Sequence, residues 1–195
     1  MLKIYLPLYL ILYMLIVLII PNYQTIRQTR MNHIIFGKDD NVYIGFIIKM
    51  LIILFFFVVF TYSMSEKMYS YLVPISYLQT QTLTIIGLAL IHIALVWISI
   101  AQFQMSNSWR IGIDEENKTK LVTEGIFSIS RNPIFLGMII SVLGHFFIVP
   151  NALTFFLTIT TYIVIKIQIR LEEEFLQKQH SHDYVNYKLK TKRLL

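Results

Sequence analysis

The sequence predicts an all-α fold, an integral membrane bundle of about five transmembrane helices. Three observations carry that reading. Apolar residues make up 56% of the 195-residue chain and charged residues only 14%, against roughly 45–50% and 25% in soluble domains. The charges fall in gaps between long uncharged runs. One such run is too long to cross a bilayer once, and a turn signal sits in its middle.

The first uncharged segment extends from Ile4 to Ile26; as a helix, Ile4–Ile20 is about 26 Å long, close to the thickness of a hydrocarbon core. Lys3 alone precedes it and no small-x-small site precedes Pro21, so it is expected to be a retained span, not a cleaved signal peptide. The second, Val42–Tyr62, has the unbroken apolar core Leu51–Phe60, with Lys49 near enough to one end to snorkel. The third, Leu83–Gln102, lies in a stretch without formal charge between Lys67 and Arg110. From Asn132 to Ile165 there is again no charge, and a single helix of that length would reach about 50 Å, far beyond a core of roughly 30 Å. Pro150-Asn151 is the expected reversal, since Pro ends a helix and Asn suits a turn. That gives a hairpin of Ile134–Val149 and Ala152–Arg170.

Loop charges set the expected orientation. Arg27, Arg30 and Lys38 lie in the first loop, Arg110, Lys118, Lys120 and Arg131 in the third, and Lys178, Lys188, Lys190, Lys192 and Arg193 in the tail. Five spans put all three on one face, leaving Lys3 and Lys67 opposite, so the N-terminus is expected outside and the third loop and C-terminal tail in the cytosol. The chain divides into three N-terminal spans, residues 1–104, and a C-terminal half, residues 105–195.

Seventeen basic and eleven acidic residues give a net charge of +6. Placed at the ends of spans, these charges suit lipid headgroups, so the expected partner is the lipid bilayer and not nucleic acid. The absence of cysteine excludes disulfides, thiolate zinc sites and Cys nucleophiles. With no His-x-x-x-His or Glu-x-x-His pair, no metal site is expected.

Residues that lipid contact does not explain fall in two clusters. One is Leu121-Val122-Thr123-Glu124-Gly125-Ile126-Phe127 with Arg131-Asn132-Pro133-Ile134-Phe135-Leu136-Gly137; the other is Arg170-Leu171-Glu172-Glu173-Glu174-Phe175-Leu176 with Tyr184, Tyr187 and Arg193. Asn132-Pro133 reads first as a helix start, an N-cap followed by Pro at the first helical position. The same helix start, with Arg131 beside it, would also attract an anion. Glu174 has a plain role, spaced four residues from both Arg170 and Lys178. Successive helical positions differ by about 100°, so Glu172, Glu173 or both should face the interior. A buried carboxylate there needs a cationic partner, which a ligand ammonium could supply. Cradle and acids together suit S-adenosyl-L-methionine, with its carboxylate, ammonium and ribose, and Phe127, Phe135, Tyr184 and Tyr187 could close over its base. His92 and His145 fall inside spans, where a neutral ring hydrogen-bonded between helices is the simpler reading. Trp97 and Trp109 read as packing and interface residues.

At these clusters the sequence resembles the isoprenylcysteine carboxyl methyltransferase and phospholipid methyltransferase superfamily of membrane-embedded enzymes. The family pattern is roughly L-V-T-x-G-x-Y-x-x-x-R-H-P-x-Y-x-G, an apolar hairpin, then R-x-E-E-x-x-L with F-G-x-x-Y-x-x-Y and a late Arg. Leu121, Val122, Thr123, Gly125, Arg131, Pro133 and Gly137 match it, followed by Arg170, Glu172, Glu173, Leu176, Tyr184, Tyr187 and Arg193. Asn132 replaces the usual His, Phe127 and Phe135 replace Tyr, His180-Ser181 replaces Phe-Gly, and Gln168 stands near where some members carry an Arg. The resemblance implies an S-adenosylmethionine-dependent methyltransferase acting on a lipophilic small-molecule or lipid-linked substrate. It also implies a cytosol-facing cofactor site near the C-terminus, drawing on Leu121, Val122, Gly125, Phe127, Arg131, Asn132, Pro133, Phe135, Glu172, Glu173, Tyr184 and Tyr187. Asn132 cannot take a proton at neutral pH, and no general base stands out. Two alternatives remain open at this point, an NADPH-dependent membrane reductase of the sterol type and a non-catalytic scaffold. The Glu-Glu pair speaks against the first, because a 2′-phosphate wants basic neighbours. No Gly-x-x-x-Gly motif of the kind that joins membrane helices is present.

Overall fold

The computed structural model describes residues 1–29, 40–105 and 121–195. Among them the chain is helical throughout, apart from turns and two isolated bridges. Helix α1 (Leu2–Met14) passes through a π-helical turn, Leu15–Ile19, into α2 (Ile20–Thr29). Next come α3 (Asp40–Met64), the short α4 (Glu66–Ser70), α5 (Gln81–Met105), α6 (Pro133–Ile148) and α7 (Ala152–Lys190). Among the described residues, four helical stretches are long and apolar enough to cross a membrane: Leu2–Tyr23, Tyr43–Met64, Gln81–Met105 and Ala152–Lys190. The bundle is therefore that of a multi-pass membrane protein. The apolar helix α6, where a further span was expected, has 16 residues and is about 24 Å long. The loop cations Arg30, Lys38, Arg110, Lys118 and Lys120, and Trp109, lie outside the described residues.

Side chains sort into two apolar environments. Leu6, Val17, Val58, Ile91, Ile98 and Leu157 are buried between helices, while Ile4, Leu8, Phe46, Ile53, Phe60 and Phe156 are exposed on the outer surface, as a lipid-facing shell requires. α5 and α6 come into close contact at glycines. A Cβ on Gly87 would stand 2.6 Å from the Gly144 carbonyl oxygen, and one on Gly137 would stand 2.4 Å from Ile98 Cγ1. Glycine here permits backbone contact, which is how membrane helices gain dispersion energy without a hydrophobic driving force.

The expected reversal at Pro150-Asn151 is present. Asn151 caps α7, its side chain accepting from the Thr154 amide at 2.9 Å while Thr154 Oγ1 accepts from the Asn151 amide at 3.1 Å, a reciprocal capping box. The preceding loop seals this end of the hairpin: the Ile75 amide donates to the Pro150 carbonyl at 3.0 Å and the Ala152 amide to the Leu72 carbonyl at 3.2 Å. α7 continues well past Arg170, for 39 residues in all, or about 58 Å. Its φ/ψ leaves the helical region at Ser181 (φ 41°, ψ −107°), and the following turns carry the tail back against the start of α6.

Candidate functional site

A positive-φ turn sets the first cluster in place. Gly125 has φ +61°, a conformation cheap only for glycine, and the next amide, Ile126, donates to Gln104 Oε1 at 2.8 Å. Ile126 and Phe127 are thereby folded inward against Ala101 and Val122. Trp97 Nε1 donates to the Pro133 carbonyl at 2.9 Å, fixing the start of α6 on α5.

Behind this start lies an ionic clamp centred on Glu173, which is 4% exposed. Its Oε1 accepts from Arg131 Nε at 3.1 Å, Arg131 Nη2 at 2.9 Å and Asn132 Nδ2 at 3.3 Å. Its Oε2 accepts from Arg193 Nε at 3.0 Å and pairs with Arg193 Nη2 at 2.7 Å. Arg131 Nη1 also donates to the carbonyls of Lys188 and Thr191, and Asn132 Nδ2 to that of Arg193 at 3.0 Å. The Tyr187 hydroxyl donates to the Phe127 carbonyl. Burial alone would raise the proton affinity of Glu173. The hydrogen bonds and charges of Arg193 and Arg131 outweigh it and hold the carboxyl below its usual range. Glu174, as its spacing predicts, faces outward and pairs with Arg170 at 2.9 Å.

In front of the clamp opens a cavity of about 310 Å³ bounded by α1, α3, α5, α6 and α7, within the usual size of small-molecule sites. Its lining runs along α6 from Arg131, Asn132 and Pro133 to His145, and along α7 from Glu172 and Leu176 back to Thr161. Apart from a few polar groups the walls are apolar, with the aliphatic Leu10, Val17, Ile48, Leu51 and Ile165 and the aromatic Phe55, Phe127 and Phe135 among them.

Of the twelve residues expected at a cofactor site, Phe127, Arg131, Asn132, Pro133, Phe135 and Glu172 line this cavity. The other six stand beside or behind it. Leu121 and Val122 are half-buried leading into the Gly125 turn, Glu173 is the centre of the clamp, Tyr184 is buried and Tyr187 holds Phe127. Arg131 is committed to Glu173 and to carbonyls at the end of α7, so attraction for an anion at this mouth rests on the helix start. No side chain caps α6: Asn132 occupies the N-cap position but spends its amide on Glu173 and Arg193. Glu172 lines the mouth and accepts from Gln168 Nε2 at 3.1 Å. Among the described residues no cluster of metal ligands occurs.

Sequence reasoning missed Ser141 and Thr161 as cavity residues, and noted Gln168, which also lines the cavity, only as standing near a family Arg. The available signal was polar spacing: Thr161 and Gln168 lie seven apart in an apolar helix, as Ser141 and His145 lie four apart in another. The two intramembrane histidines also differ. Both bond Nδ1 to the carbonyl one turn back, of Leu88 at 2.7 Å and of Ser141 at 2.8 Å, but His92 also joins helices, its Nε2 2.6 Å from the Tyr5 hydroxyl, whereas His145 Nε2 has no partner among the described residues.

Comparison with known proteins adds a family. The model of the phospholipid methyltransferase family matches residues 82–183, from the first turn of α5 through the break in α7. No curated protein and no solved structure matches the chain. Since the match covers just over half of the sequence, and covers the helices that frame the cavity mouth, the chain belongs to the phospholipid methyltransferase family: it is an S-adenosylmethionine-dependent methyltransferase acting on a lipophilic or lipid-linked acceptor.

Proposed function

We propose that the mouth of the cavity is the S-adenosylmethionine site and that its largely apolar interior receives the acceptor from the bilayer. One observation carries this reading. The carboxylate of Glu172 and the uncapped start of α6 border the same opening, offering opposite partial charges to a zwitterionic amino-acid moiety. Glu172 takes the ammonium or a ribose hydroxyl, the first-turn amides of α6 take the carboxylate, and Phe127 and Phe135 flank the apolar parts. The ionic clamp holds Asn132 and the end of α7 in register. Residues 1–104 supply most of the acceptor's walls and residues 105–195 the cofactor's. α6 acts as a fifth, short span, with the N-terminus outside and the third loop and tail cytosolic.

Bound at the mouth, the cofactor supplies an electrophilic methyl group. The protein's part is to align the acceptor with it and to keep water away, because charge disperses during the displacement and a dry, oriented site lowers the barrier. Asn132 can hydrogen-bond there but moves no proton. An acceptor that arrives ionised therefore suits this mouth, and so does one that sheds its proton to water at the opening.

Calorimetric titration of the purified protein tests the reading. S-adenosylmethionine should bind and NADPH should not, and Glu172→Gln should weaken binding about 10- to 100-fold, the worth of a charge-assisted hydrogen bond. NADPH binding without S-adenosylmethionine binding would instead support a reductase.

A further inference from the structure

Beyond the break at Ser181 the chain stays helical through Lys190, and this last segment is amphipathic. Tyr184 and Tyr187 are buried and form its inner face. At about 100° per residue, Leu189 lies roughly 140–160° from both tyrosines, on the opposite side. Leu189 is 82% exposed, and Val185, one turn before it, is 41% exposed. Lys188 and Lys190 lie about 100° to either side of Leu189. A single exposed leucine means little. An apolar stripe with amines on both flanks is the pattern of a helix seated on a bilayer surface, its lysines reaching out to the headgroups.

The contacts of the segment put it at the right height. The Arg131 amide donates to the Lys192 carbonyl at 3.0 Å, and Arg131 Nη1 donates to the Lys188 carbonyl at 3.3 Å. The end of the segment is therefore level with the start of α6 and with Glu173. On α7 that is just past the point where the exposed apolar residues Ile163 and Ile167 give way to the exposed Arg170. Charge identifies what covers the stripe. From Phe175 onward five basic side chains face a single acid, Asp183. Lys178, Lys190 and Lys192 have no ion pair among the described residues, and Lys188 donates to the neutral Gln177 at 3.1 Å. A second copy of the chain would set these cations against their own kind, whereas an anionic leaflet offers phosphates to the amines and acyl chains to the stripe.

We propose that the Val185–Leu189 face, with Lys188, Lys190 and Lys192, docks on an anionic lipid leaflet, and that this docking tightens cofactor binding at the mouth. The same segment holds the site from behind. Its carbonyls accept from Arg131 and Asn132, Arg193 closes on Glu173, and Tyr187 holds Phe127 at the cavity wall. Fastening it from outside orders these groups before the cofactor arrives, so less of the binding energy is spent on ordering them. The proposal rests on the mouth being the cofactor site at a membrane exit, and it names lipid charge as the regulator of that site.

The test uses the full chain in nanodiscs of phosphatidylcholine, with or without phosphatidylglycerol. A disc carries the same lipids on both faces, so the result does not depend on orientation. Because the chain lacks cysteine, Leu189→Cys takes one nitrobenzoxadiazole label. In anionic discs its emission should shift to the blue and resist quenching by aqueous iodide, and Lys190→Glu with Lys192→Glu should abolish both changes. Calorimetry should show S-adenosylmethionine binding about fivefold tighter in anionic than in neutral discs, a modest coupling between sites. The double variant should match wild type in neutral discs and gain nothing in anionic ones. Equal emission and quenching in both lipids would overturn the docking, as would energy transfer between labelled copies, which would mark a protein interface. A shifted label with unchanged cofactor affinity would overturn the coupling. A shifted label on a protein that binds no S-adenosylmethionine in either lipid would instead indict the mouth assignment and leave the docking standing.

Discussion

Glu172 and Glu173 are neighbours in sequence with different work. Glu173 is enclosed by two guanidinium groups, so removing its charge strands them, and breaking a buried pair costs about 3–5 kcal/mol. Because Arg193 is partly exposed, the lower end applies to Glu173→Gln, visible as a fall of several degrees in melting temperature. Its carboxyl titrates below the usual range when folded. The clamp's stabilisation is thus complete above the ordinary carboxylate range and drains away as pH falls below about 4. Thermal melts from neutral to acid pH should show a steeper loss in wild type than in Glu173→Gln; parallel profiles would refute the assignment. Glu172→Gln should do the reverse, changing stability by less than about 1 kcal/mol while weakening the cofactor. The 100° step between helical residues already implied an inward carboxylate. Its partners were not legible, because Arg131 lies 42 residues away and Arg193 twenty, and both contacts depend on the tail turning back.

That turn belongs to α7 as an element. Ser181 holds φ 41° and ψ −107°, a region L-residues avoid, and the family pattern has Gly at this position. Ser181→Gly should stabilise the protein by about 1 kcal/mol, measured as a raised melting temperature; a loss of stability would mean that the hydroxyl, not the backbone, matters there. In the α5–α6 pair, Gly87→Ala should destabilise by about 1–3 kcal/mol, since its Cβ would meet a backbone oxygen that cannot rotate away. Charge gaps and the Pro-Asn reversal made the helices readable. Their mutual faces were harder to read, because lipid-facing and buried positions are equally apolar. A trace was nevertheless present in the small residues Gly137, Ser141 and Gly144 on α6 and Gly87, Ala94 and Ala101 on α5. The search for Gly-x-x-x-Gly passed over it because the spacing mixes threes, fours and sevens.

At the scale of the whole molecule, the chain's lack of cysteine makes its orientation in the membrane directly measurable. Lys67→Cys should react with an impermeant maleimide on intact cells, and Lys190→Cys only after lysis; the opposite result would invert the bundle. The sequence predicted this arrangement from loop charges, although several of those lysines and arginines lie outside the described residues. The loop between α4 and α5 adds a further consequence. Backbone hydrogen bonds from Ile75 and Ala152 stitch it to the α6–α7 reversal, at the end of the hairpin opposite the proposed mouth. On the proposed assignment of the mouth, a lipid drawn into a bundle fastened on that side would leave by the way it came and rejoin the leaflet that supplied it.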